Sequence, residues 1–91
     1  MESVTLAQIL SHAPGVDLKG NTYETAKGHR LSFYIGRSGQ AMVLSDILKV
    51  QLHDGFVQLE RKKADGVLYF DVSVIHGVAI RPPEDVRAGF E

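Results

Sequence analysis

The chain has 91 residues, of which 44% are hydrophobic and 23% are charged, and its formal net charge is −1 at pH 7. These values are typical of one small globular domain, and they argue against strong non-specific binding to nucleic acid, which requires positive charge to neutralise phosphates. The absence of cysteine excludes disulfides and thiolate metal sites. Because the sequence shows no secretory leader and no apolar run of roughly 20 residues, we predict a cytoplasmic protein with no membrane segment.

The first predicted element is a short helix. Thr5 and Gln8 have the spacing of a capping box, in which two side chains satisfy backbone N–H groups at the start of a helix. Apolar residues recur on one face of this helix: Leu6, Ile9, Leu10 and Ala13. Pro14-Gly15 should end it. We therefore assign residues 1–15 to an N-terminal helix region, with residues 14–21 as a loop before the sheet.

Two strands and a turn are predicted next. Residues 22–25 form a short strand, which we expect to pair through a Lys27-Gly28 turn with a strand over residues 30–37. A Ser38-Gly39 turn then reverses the chain into residues 40–53. The sheet is therefore expected to be antiparallel from its first strand onward.

Residues 40–53 are predicted to form one long strand, because their core-facing residues, from Met42 to Leu52, all occupy even-numbered positions. At roughly 3.3 Å per residue such a strand would span more than about 40 Å, too long to stay flat in a small domain. The alternation is interrupted at Ser45-Asp46. We expect a β-bulge there that bends the strand.

Two Asp-Gly pairs predict hairpin turns, because these residues adopt positive φ at low cost. A two-residue turn at Asp54-Gly55 places Val50 opposite Leu59. A second two-residue turn at Asp65-Gly66 places Leu59 opposite Val72. Both turns put the same residue on one apolar face, so they predict a single core surface across three strands.

The sheet is predicted to end with a short strand over residues 78–81, after a turn or bulge at His76-Gly77. Pro82-Pro83 prevents further pairing, so residues 82–91 are assigned as a C-terminal tail. The antiparallel sheet then spans residues 22–81. The predicted fold class is mainly β with one short N-terminal helix: a single domain over residues 1–91, built as a curled antiparallel meander of five or six strands or a small barrel.

The turns and the alternation together predict which side chains form the core. They are the apolar residues that share one face of the helix or sheet. The predicted core comprises Leu6, Ile9, Leu10, Phe33, Ile35, Met42, Leu44, Leu48, Val50, Leu52, Val57, Leu59, Phe70, Val72 and Val74.

The opposite face of the second and third predicted strands is also apolar. Its small or apolar residues are Tyr34, Ala41, Val43 and Ile47. Because large apolar patches are unusual on monomers, this face predicts a homodimer or another protein partner. The leading hypothesis is therefore a non-enzymatic protein-interaction, regulatory or assembly module that self-associates.

Basic residues support an alternative hypothesis. They cluster beside two predicted strands and comprise Lys27, His29, Arg30, Arg37, Arg61, Lys62 and Lys63. A basic strip with aromatic residues nearby on a small barrel is typical of proteins that bind nucleic acid. The alternative function is a small nucleic-acid- or nucleotide-binding β-barrel that uses these side chains.

Catalytic and metal-binding patterns are not recognisable in this sequence. The histidines form no HxH or HExxH pair, whereas a zinc site needs three or four converging ligands. We therefore predict no metal and no cofactor. A third hypothesis is a small enzyme in which Asp46, placed on the inner face by the alternation, acts with a histidine in a barrel mouth.

Overall fold

A computed structural model describes residues 1–37, 40–63 and 65–83 of the chain, with the backbone alone for Arg37 and Ala41. Over these residues the chain forms one α-helix, α1 (Ser3–His12), and seven strands. The strands are β1 (Val16–Lys19), β2 (Thr22–Thr25), β3 (Arg30–Arg37), β4 (Gln40–Leu52), β5 (Phe56–Arg61), β6 (Leu68–Asp71) and β7 (Ile75–Arg81). A 3₁₀ turn, Val72–Val74, joins β6 to β7. The predicted Ser38-Gly39 turn and the part of the predicted tail after Pro83 lie outside the described residues.

The seven strands of the described residues form one antiparallel sheet, which curls into a half-barrel. The strand order is β1-β2-β4-β3-β7, while β5 pairs with β4 and β6 pairs with β5. This architecture confirms the predicted mainly β fold with a curled antiparallel sheet and one short helix. The sheet begins earlier than predicted, because β1, which lies within the expected loop, pairs with β2. β1 has only four residues, Val-Asp-Leu-Lys, and although apolar and polar residues alternate in it, only Val16 is buried.

β4 organises the sheet because different strands line its two edges. β3 and β2 follow one another along one edge, with Leu31 opposite Ile47 and Tyr23 opposite Val50. β5 lies along the other edge, with Leu59 opposite Val50. The predicted pairing of β2 with β3 is therefore wrong. The turn over residues 26–29 carries the chain onward along β4 instead of reversing it.

The two Asp-Gly turns have different outcomes. The predicted register at Asp54-Gly55 is confirmed, since Leu59 lies opposite Val50. The predicted register at Asp65-Gly66 is wrong, since Leu59 lies opposite Leu68 rather than Val72. Val72 instead lies past the end of β6, where its N–H donates to the carbonyl of Gly55 (3.1 Å). The apolar face is retained despite the wrong register, because the observed and predicted partners of Leu59 differ by four residues. A register shift by an even number of residues keeps side chains on the same side of a sheet.

β4 interrupts its side-chain alternation twice. Its register shifts once against β3, next to Ser45-Asp46, and once against β5, at Leu48. The predicted bulge is thereby confirmed, but its effect on burial was not foreseen. Leu44, Ile47 and Val50 are buried at intervals of three residues. Leu48, which was predicted as core, is 39% exposed, and Ile47, which was predicted for the outer face, is only 1% exposed.

Met42 is a second error in the predicted core, because it is 57% exposed. It lies opposite Ile35, which is buried between β4 and β7. Of the described strands, only β3 pairs with β4 at Met42, since the pairing of β5 begins at Ile47. The alternation placed Met42 on a face, but only the neighbouring strands decided whether that face was covered.

The core is a single cluster between α1 and the sheet. Leu6 and Leu10 of the helix are fully buried, and Leu52, Phe70 and Val74 pack against the cluster while half-buried. The predicted capping box is wrong: α1 begins at Ser3, so Thr5 lies inside its first turn. The buried members of the cluster are Leu6, Leu10, Val16, Tyr23, Leu31, Phe33, Ile35, Leu44, Ile47, Val50, Val57, Leu59, Val72 and Ile75.

Candidate anion-binding site

The bulge of β4 is held by hydrogen bonds from distant segments. The carbonyl groups of residues 45–47 accept hydrogen bonds in turn from the Nε of Arg61 (2.9 Å), the backbone N–H of Lys62 (2.8 Å) and the hydroxyl of Thr25 (2.9 Å). A bulge disrupts the ladder locally, and backbone carbonyls removed from water need other partners. These contacts attach β2 and the end of β5 to the bulge. They also account for Arg61, one of the predicted ligand-binding residues, as a structural contact.

Asp46 lies at the centre of the bulge. Its φ of +62° is uncommon for a residue other than glycine. Its carboxylate forms an ion pair with Arg30, with 3.0 Å between Oδ1 and Nε, and its side chain is 40% exposed. The prediction that Asp46 lies on the inner face is therefore wrong, because the extra residue of the bulge turns the side chain toward solvent. The enzyme hypothesis thus loses its inner-face carboxylate.

A cleft of about 390 Å³ opens beside the bulge and gathers several of the predicted basic residues. Lys27 and His29 come from the turn before β3, Arg30 is the first residue of β3, and Lys62 follows β5. Asp46 supplies the carboxylate on the same lining. Among the described residues that line this cleft, three therefore carry a full positive charge and one carries a negative charge. We call it the basic cleft.

A smaller cleft of about 240 Å³ adjoins the basic cleft, because Arg30 lines both. Arg81 lies directly opposite Arg30 across β3 and β7 and lines the smaller cleft with Gly28 and Pro82. Sequence reasoning missed Arg81 as a site residue. Its position at the end of the last predicted strand was visible, but the pairing of β7 with β3 joins residues far apart in the chain. Only that pairing brings the two arginines together.

No protein-family model, curated protein or solved structure matches this chain. Within residues 1–37, 40–63 and 65–83, no three histidine, aspartate or glutamate side chains converge in a way that could hold a metal ion. Over the same residues, no helix is long and apolar enough to cross a membrane.

His29 supports the turn that carries the basic residues. Its imidazole packs against Gly15, so closely that a methyl group at Gly15 would overlap the ring. The carbonyl of Gly15 also accepts a hydrogen bond from the N–H of Ala26 (2.7 Å). The Nδ1 of His29 is buried and has no hydrogen-bond partner among the described residues. This histidine therefore anchors the turn as well as lining the cleft.

The other predicted residues are distributed as follows. Lys63 is exposed beyond the cleft lining, with a φ of +62°, and the side chain of Arg37 lies outside the described residues. Of the predicted interface, Tyr34 and Val43 lie opposite each other and are 40% and 54% exposed. The side chain of Ala41 lies outside the described residues. Ile47 is buried and cannot contribute to a surface.

Proposed function

We propose that this domain is a non-enzymatic binding module for a phosphate-bearing ligand, which is either a nucleotide or a nucleic acid. The observation that carries the proposal is the convergence of Lys27, Arg30 and Lys62 on the basic cleft, against the single carboxylate of Asp46 among its described lining residues. Arginine and lysine are the usual partners of phosphate, the first through its planar fork and the second as a point charge.

The pairing of Arg30 with Arg81 supports the same ligand chemistry. Like charges directly opposite each other in a sheet are destabilising, and the one carboxylate that pairs with Arg30 in the described residues belongs to Asp46. A bound anion would neutralise the excess positive charge at this end of the sheet. The overall charge of −1 is compatible with this proposal, because the positive charge is concentrated locally.

The small number of cations sets the expected salt dependence. If three cations each neutralise one phosphate of a single strand, the logarithm of the affinity should fall with the logarithm of salt concentration with a slope of about −2. Such binding is modest in strength, and a fourfold rise in salt concentration should lower the affinity by about 16-fold.

We expect Lys62→Glu to weaken the binding of inorganic pyrophosphate and of a thymidine oligonucleotide by about tenfold or more, because it removes a charged contact and adds a repulsive carboxylate. The measurement is an NMR titration of the ¹⁵N-labelled protein at low salt. Lys19→Glu is the matched control for pyrophosphate, since it changes the net charge equally at a lysine of β1 that pairs with Glu24 and does not line the basic cleft. Equal weakening by both variants, or unchanged amide shifts around Lys27 and Lys62 in the wild type, would contradict the proposal.

A second proposal is self-association through the hairpin of β3 and β4. Tyr34 and Val43 are exposed on one face of this hairpin, and Met42 is exposed on the other. Between Tyr34 and Val43 the sequence contains one charged residue, Arg37. Two copies could therefore approach around a two-fold axis with little charge repulsion, since such an interface uses the same patch on both partners.

For this second proposal, we expect the wild type to elute as a dimer in size-exclusion chromatography with light scattering, and Val43→Lys to elute as a monomer. A lysine at the interface would have to lose its hydration when the copies meet. Leu18→Lys is the control, because Leu18 on β1 is 55% exposed, close to the 54% of Val43. A monomeric wild type at high concentration would exclude the proposal.

A further inference from the structure

An exposed row of aromatic rings lies at the far end of β5 from the basic cleft. The rings of His53 and Phe56 stack, with centroids 4.6 Å apart and an angle of 12° between their planes. Tyr69 on β6 continues the row, with its centroid 6.4 Å from that of Phe56. Phe56 is 40% exposed and Tyr69 is 61% exposed. We call His53, Phe56 and Tyr69 the aromatic strip.

The orientation of the aromatic strip is maintained by its neighbours. The Nε2 of His53 lies 3.1 Å from the Oε1 of Gln58, which holds the imidazole beside β5. Tyr69 lies directly opposite Gln58 across β5 and β6. The rings therefore form a surface whose geometry exists before any ligand binds.

The aromatic strip and the basic cleft lie at the two ends of β5. Val57 and Leu59 are buried, so by alternation the side chains of Phe56, Gln58 and Glu60 lie on the opposite face. Lys62 is exposed and follows the last residue of β5. Phe56 belongs to the aromatic strip, and Lys62 lines the basic cleft. At roughly 3.3 Å per residue, Phe56 and Lys62 are about 20 Å apart.

We propose that the phosphate-bearing ligand is a single-stranded nucleic acid, which lies along the outer face of β5. Its phosphates contact the basic cleft, and its bases stack on the aromatic strip. This inference rests on the proposed function. Binding sites for single strands combine cations that follow the backbone with aromatic rings on which bases stack, and the two parts lie here at opposite ends of β5.

The distance between the two parts argues against a mononucleotide as the complete ligand. One nucleotide cannot place its phosphate at Lys62 and its base on Phe56, because these residues lie about 20 Å apart along the strand. A duplex is also a poor fit, because its bases are stacked on one another and cannot cover exposed rings. A single strand of several nucleotides satisfies both conditions.

The charges along the face also favour this orientation of the strand. Asp71 lies opposite Phe56, and a hydrogen bond from the backbone N–H of Ser73 lowers the pKa of its carboxyl group. A carboxylate at that end repels phosphates, so the aromatic strip suits bases rather than the backbone. Between the two ends, Lys49 lies opposite Glu60, which leaves the middle of the path without excess charge of either sign.

The test is a fluorescence anisotropy titration with thymidine oligonucleotides from two to about ten nucleotides long, with matching uridine oligonucleotides and one duplex. We expect affinity to rise with length and single strands to bind more tightly than the duplex. Tyr69→Ala should weaken binding of the longer strands by about 5- to 100-fold and leave pyrophosphate binding unchanged. Tyr34→Ala is the control, because Tyr34 is an exposed aromatic residue outside the aromatic strip. Tighter binding of either the uridine or the thymidine series identifies the preferred nucleotide, and both support the inference.

The outcomes separate this inference from the proposed function. If pyrophosphate binds but affinity is independent of length, or if Tyr69→Ala and Tyr34→Ala behave alike, the single-strand inference is wrong and phosphate binding stands. Equal affinity for the duplex and for the single strands would likewise mean that the single-strand inference is wrong while phosphate binding stands. If neither pyrophosphate nor any oligonucleotide binds, both proposals are wrong.

Discussion

Ile47→Ala is expected to lower the free energy of unfolding by about 2–5 kcal/mol, the usual cost of truncating a fully buried aliphatic side chain. Ile47 is 1% exposed and lies between Leu31 of β3 and Arg61 of β5. In a domain of this size such a loss should reduce Tm by at least about 8 °C. Urea unfolding and thermal melting followed by circular dichroism would measure it.

Leu48→Ala is the matched control for this prediction. Leu48 is the next residue of β4, has the same number of carbon atoms in its side chain, and is 39% exposed. We expect it to cost less than about 1.5 kcal/mol, because much of the side chain already contacts water. The alternation of the sequence predicts the opposite order. Greater destabilisation by Leu48→Ala than by Ile47→Ala would mean that β4 has no extra residue at the bulge.

Gly15→Ala is expected to destabilise this fold more than Gly20→Ala does. Gly15 has a φ of +88°, and a methyl group there would overlap the imidazole of His29. The backbone conformation alone costs an alanine roughly 1–2 kcal/mol, and the overlap must displace either the ring or the turn. We expect a total loss of about 3 kcal/mol or more in the free energy of unfolding, since strain and overpacking add.

Gly20→Ala separates the two causes. Gly20 has a φ of +66° but no atom within 4 Å of the position that a methyl group would occupy. It should therefore cost only the backbone strain of roughly 1–2 kcal/mol. In a His29→Ala background, Gly15→Ala should lose most of its excess cost, because the ring is gone. Additive effects of Gly15→Ala and His29→Ala would show that the two residues are not in contact.

The same contact links stability to the candidate site. Lys27, His29 and Arg30 belong to or adjoin the turn that Gly15 supports through its carbonyl and its lack of a side chain. The prediction that these residues act together came from their proximity in the sequence. Their convergence with Lys62 depends on the bulge, because the N–H of Lys62 donates to the carbonyl of Asp46.

The sequence by itself determined the features that depend on neighbouring residues. The Asp54-Gly55 turn set the register of β4 against β5, because positive φ at a two-residue turn leaves few alternatives. The interruption at Ser45-Asp46 located the bulge, and the apolar stripe of the helix identified Leu6 and Leu10 as core. Each of these features is decided within a few residues of its own signal.

Only the tertiary structure decided the features that depend on distant partners. The bulge turned Ile47 inward and Leu48 outward, since the carbonyl groups around it are satisfied by Thr25, Arg61 and Lys62. β2 pairs with β4 rather than β3, and β7 places Arg81 opposite Arg30. Local propensity cannot choose among such pairings, because each is stabilised by contacts that form only when remote segments meet. The basic cleft is a product of those pairings, although most of its residues were recognisable in advance.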